Sequence, residues 1–152
     1  MSTVNVETEY REEPKGNRES RERYAAQVRD HANKYELRQL DLTTADTNTL
    51  TAIYLSDEMR TDSAALLSAQ VIGQSDDGTI YAAYGLTAMF RRIGNAAAAQ
   101  QGATQTLSAP IESNAALDCT LGVDSDSRMF VKVSDGSVGT VDWRCWVEVR
   151  RL

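Results

Sequence analysis

The chain has 152 residues, 41% of them hydrophobic and 25% charged, which suits one globular domain with a buried core. Its formal charge of −6 is unevenly placed: residues 1–40 hold eight basic and eight acidic side chains, leaving eight against fourteen for residues 41–152. An acidic domain repels phosphate, which argues against direct nucleic-acid binding; no apolar run is long and clean enough to cross a membrane, Ser63–Gln74 being broken by Ser68, Gln70 and Gly73.

Met1–Pro14 carries five charged side chains and no apolar block, so it does not read as a secretory leader, and a protein assembled in a cytoplasm is expected. Pro14 and Gly16 break any early helix. From Asn17, a plausible N-cap, the residues become helix formers, with Tyr24, Val28, Ala32 and Tyr35 at spacings of four, four and three. That stripe is too narrow to build a core and wide enough to lie on another surface. Residues 1–34 therefore read as a partly helical attachment arm, and 35–152 as a separate domain.

Beyond residue 35 the apolar period falls from near 3.6 to 2, the signature of strands with one dry face. Tyr84, Leu86, Ala88 and Phe90 alternate with small or polar residues, as do Leu117, Cys119, Leu121 and Val123. Met129, Val131 and Val133 continue the pattern, and so do Val141, Trp143, Cys145, Val147 and Val149. Asp76-Asp77-Gly78, Gly94-Asn95, the Asp124–Ser127 run and Asp135-Gly136-Ser137 are turn sequences. About eight strands follow: 35–42, 49–55, 63–74, 79–92, 98–109, 115–123, 128–134 and 140–151. With Ala96–Gln101 taken as strand or loop and no βαβ spacing, the expected fold is mainly β, an antiparallel, jelly-roll-like β-sandwich.

Chemistry-bearing residues are few. His31, the one histidine, sits in the arm, away from a nucleophile and an orienting acid. Cys119 and Cys145 fall on apolar strand faces, which favours buried thiols, with a cross-strand disulfide as the alternative. Asp124, Asp126 and Asp135 lack the spacing of a calcium loop and suit turns. No phosphate-binding, dinucleotide, nucleophile-elbow, zinc or paired-carboxylate pattern occurs, so neither catalysis nor a cofactor is expected. Trp143 and Trp146 point to opposite sides of one strand, as do Met89 and Phe90. One of each pair is core; Met89 and Trp146 are the members assigned to a subunit interface.

From Tyr35 onward the chain resembles a β-sandwich domain that recurs in tailed-phage fibres, head fibres and capsid decoration proteins. The resemblance lies in the Leu42–Thr49 segment, in Asp76-Asp77-Gly78 leading to Ala82-Ala83-Tyr84, and in Phe90-Arg91-Arg92 before Gly94. It continues through Leu117-Asp118-Cys119, Phe130–Val133 and Gly139–Cys145. The chain departs from that family in lacking a tryptophan near Leu117 and in its Ala96–Gln101 run. The resemblance implies a virion surface module, often a homotrimer, attached by what precedes it. With only a short arm and no internal repeat to make a shaft, the expectation is a capsid decoration or cement protein, or a head-fibre base. Its main partner would be the capsid protein; a tail-fibre or baseplate receptor-binding module is the alternative.

Overall fold

The structure is a computed structural model that describes residues 34–152. The helix expected from Asn17, with Tyr24, Val28, His31 and Ala32, lies outside the described residues. Nine strands follow in order: β1 (Tyr35–Ala45), β2 (Thr51–Glu58), β3 (Ser63–Gln74), β4 (Tyr81–Arg92), β5 (Ala99–Thr106), β6 (Ile111–Glu112), β7 (Asp118–Val123), β8 (Arg128–Ser134) and β9 (Thr140–Arg151). They form two antiparallel sheets. The larger runs β1-β9-β3-β4-β5, with β6 also pairing β4; the smaller runs β2-β8-β7. The sheets pack face to face, as the alternating pattern requires.

Alternation decides which side chains fill the space between them. Val141, Trp143, Cys145, Val147 and Val149 of β9 meet Leu67, Ala69 and Val71 of β3, Leu86, Ala88 and Phe90 of β4, and Met129, Val131 and Val133 of β8. Trp143 is the largest fully buried side chain, and its indole N–H donates to Thr44 Oγ1 at 2.9 Å, so burial leaves no polar atom unsatisfied there. Opposite it in the β3–β9 pairing stands Gly73, where a Cβ would come within 2.5 Å of the Trp143 ring. Only glycine lets the indole lie flat across its neighbour.

The turns behave as their sequences suggest. Asp77 Oδ1 accepts from the Thr79 amide at 3.0 Å and from the Ser75 hydroxyl at 2.6 Å, closing the β3–β4 hairpin; Gly78 takes a positive φ of 73°. The same bonds hold the Asp77 carboxyl down at about 2. Asp124 Oδ1 accepts the Asp126 and Arg128 amides, both at 2.9 Å, in the β7–β8 turn. Asp135 is fully buried, and its Oδ1 accepts the Thr47 and Ser137 amides, each at 2.8 Å, tying the β1–β2 and β8–β9 connections together.

Several edges differ from expectation. β1 continues to Ala45 because its partner β9 offers an unbroken ladder down to Thr140. β7 begins at Asp118, since Asn114–Leu117 is a turn closed by the Leu117 amide on the Asn114 carbonyl. The Ala96–Gln101 run divides: Ala96 ends a turn begun at Ile93, and β5 starts at Ala99. Tyr35 opens β1, where the strand expected over 35–42 begins.

Candidate functional site

The inward faces of both sheets are committed to the core, so any interaction surface lies outside. The outer face of the small sheet is self-covered where Phe130 lies across Gly122 and beneath Lys132, whose ammonium stands 4.2 Å from the ring centre. The outer face of the large sheet is different. Of twelve exposed large hydrophobic side chains among the described residues, seven project from it: Leu37, Leu66, Ile72, Tyr81, Met89, Ile111 and Trp146.

Strand register sets the neighbours on this face. Trp146, 37% exposed, stands between Gln39 of β1 and Gln70 of β3. Met89, 42% exposed, stands between Leu66 of β3 and Gln101 of β5. Ile72 is flanked by Arg144 and Ala83, and Ile111 of β6 extends that row. Leu107 passes over Gly85, which has no side chain to obstruct it. The two residues expected at an interface thus share one face, and the register adds Leu66, Ile72, Tyr81 and Ile111 to them.

Charge divides the face. On the β1 and β9 side, Arg144 pairs with Asp41 at 2.7 Å, Arg150 with Glu148 at 2.5 Å, and Asp142 accepts the Thr43 hydroxyl at 2.6 Å. On the β3–β6 side the outward residues are apolar, amide or hydroxyl, with Ser68 and Thr87 bonded to each other at 2.9 Å. Arg91, at the end of β4, is the charged exception there.

Two grooves flank this surface. One, of about 560 Å³, is bordered by Asp41, Ile72, Gln74, Tyr81 and Arg144. The other, of about 420 Å³, lies where the arm joins β1 and includes Tyr35, Glu36, Arg38, Glu58 and Arg151. There Glu36 Oε2 accepts from Arg151 at 3.1 Å and from the Tyr54 hydroxyl at 3.2 Å. Burial, with Glu36 beside it, raises the Tyr54 phenol above its ordinary value and keeps it neutral. Tyr35 is half-buried, with the Arg150 guanidinium 5.9 Å from its ring centre.

The two thiols are disarmed by burial. Cys119 and Cys145 are free, buried thiols. Desolvation pushes Cys145 up to about 12 and Cys119 higher still, so both are protonated near neutrality and unreactive. Among the described residues no group of three or more His, Cys, Asp or Glu side chains converges as metal ligands. What the surface offers is a set of neighbouring exposed apolar side chains, which suit a macromolecular partner.

Neither a protein-family model nor a curated protein matches the sequence. Among solved structures the chain is similar to the tailspike protein of Acinetobacter baumannii phage AM24, with 9% identity and a TM-score of 0.42 over 77% of this chain and 26% of the tailspike.

Proposed function

We propose that the protein is a structural component of a bacteriophage virion, a capsid decoration or cement protein or the base of a head fibre. It is held to the capsid protein by its N-terminal arm and self-associates as a homotrimer through the outer face of the large sheet. The observation that carries this reading is that face itself: seven exposed large hydrophobic residues on one side of a sandwich whose core is already closed. The ordered motifs from Leu42 to Cys145 that resemble phage-appendage sandwiches support the same assignment. In a symmetric capsid lattice many modest contacts sum through avidity, so neither the arm nor the face needs high affinity alone. Labelled antibody against this chain on intact particles should mark the head; marking of the tail alone would refute decoration.

The groove beside Tyr81 favours a second reading, a receptor-binding module of a tail fibre or baseplate. An aromatic ring and Ile72 stand there next to Gln74 and the Arg144–Asp41 pair, a mixed surface suited to a small polar ligand. Tail-only labelling is its expected outcome.

A further inference from the structure

We infer that copies of this chain meet through the half of the large sheet's outer face that bears Arg91 as its one charge, β3 to β6 around Met89, and not through the half that carries Trp146. The inference rests on the self-association proposed above and specifies its surface.

Residues 93–111 contain no Asp, Glu, Lys, Arg or His, nineteen consecutive positions in a chain that is otherwise a quarter charged. They include β5, the exposed edge strand of the large sheet. Natural sheets guard such edges with charges, prolines or bulges against pairing with another chain. β5 has a bulge at its Thr87–Met89 pairing and no charge. Its glutamines turn back on their own strand instead: the Gln101 amide donates to the Ala99 carbonyl at 3.2 Å and the Gln105 amide to the Ala103 carbonyl at 3.1 Å. These are bonds that a neighbouring chain can replace one for one, since an amide both donates and accepts.

The occupant follows from charge. Two copies of a −6 chain repel wherever their acidic surfaces meet. A partner of opposite charge would instead be drawn to those acids. The β3–β6 half has no acid to attract a basic partner, and its one charge, Arg91 at the end of β4, leaves little repulsion to oppose an identical one. On the β1–β9 half, burying Trp146 would also desolvate Asp41, Arg144, Glu148 and Arg150, a cost that interface centres avoid. Size is adequate: three strand widths of about 4.8 Å (β3, β4 and the edge shared by β5 and β6), with twelve residues in β3 and in β4 rising about 3.4 Å each, span roughly 590 Å² of plane. That is near the ~800 Å² of accessible surface per partner in a standard interface.

The test is sedimentation of the full-length protein at micromolar concentration. Wild type should run as an assembly heavier than the 16.7 kDa chain. Met89→Arg, and separately Gln101→Glu on the edge strand, should each weaken association by about tenfold or more. Trp146→Arg should leave it intact. Since no substituted side chain is core, each variant should keep the wild-type thermal midpoint, which separates lost assembly from lost folding. Assembly should also change little with salt, whereas contacts between acidic surfaces would tighten as salt rises. A monomeric wild type overturns the inference, as does dissociation by Trp146→Arg or assembly that survives both Met89→Arg and Gln101→Glu. Binding of the same variants to particles lacking the protein reports the arm's docking separately, so a failure here leaves that part of the proposal standing or falling on its own.

Discussion

Gly73→Ala is a one-carbon change whose cost can be worked from the packing. The new Cβ would stand 2.5 Å from Trp143 Cε3 and 2.6 Å from Cζ3. The indole has nowhere to retreat: Trp143 is buried, and its N–H is fixed to Thr44 Oγ1, itself buried. Overpacking of this kind costs about 1–3 kcal/mol. If the ring tilts enough to lose the Thr44 bond, a buried donor and acceptor add about 1–3 kcal/mol. The lower chain entropy of alanine in the unfolded state returns about 0.4–1 kcal/mol. The net expectation is roughly 2–4 kcal/mol, which lowers the thermal midpoint of a domain this size by about 8–15 °C. Tryptophan fluorescence during heating gives the assay, with Trp143→Leu and the double variant completing a cycle. Because the clash exists only with the indole, the double variant should be less destabilised than the sum of the singles by about 1–2 kcal/mol. A Gly73→Ala midpoint within about 1 °C of wild type, or strict additivity, would refute the account of how Trp143 is seated.

Further outcomes follow from buried polar groups and thiols. Asp135→Ala strands the Thr47 and Ser137 amides, so chemical denaturation should show a loss of about 2–4 kcal/mol. Replacing both Cys119 and Cys145 by Ala should cost on the order of 1–3 kcal/mol through lost packing, and mass spectrometry under non-reducing conditions should find both thiols free; a disulfide would contradict this. The Cys145 thiol titrates at 9.0 unfolded and at about 12 folded. The unfolded chain therefore releases its proton first. Its contribution to stability is complete below pH 9 and is lost as pH rises from 9 towards 12. Cys145→Ala should flatten that alkaline decline, as measured by denaturation midpoints across this range.

Much of the fold was legible because period-two burial is written in neighbouring residues. Strands 63–74, 128–134 and 140–151 stand where the alternation puts them, while which tryptophan of β9 takes the core was left open by the sequence, and it is Trp143. Less was legible wherever a partner strand decides. β1 runs past Leu42 because β9 continues to pair it, and β6 exists only as two residues laid beside Ala82 and Ala83. The candidate face suffered most from this. Alternation says that Leu66, Ile72 and Tyr81 point away from Leu67, Val71 and Ala82, but not that β9, β3 and β4 lie side by side. The nineteen uncharged residues 93–111 were readable all along; their meaning as an edge needed the strand order.

The central claim is attachment through the arm to a capsid lattice. Deleting residues 1–33 and measuring rebinding to particles that lack the protein tests it most directly. The account predicts that the truncated sandwich stays folded, with a thermal midpoint within a few degrees of wild type, because the described residues 34–152 already build a core between the two sheets. Rebinding should fall by well over tenfold, about 1.4 kcal/mol or more of lost binding energy. Truncated protein that decorates particles as wild type does would contradict the account and move attachment onto the sandwich itself.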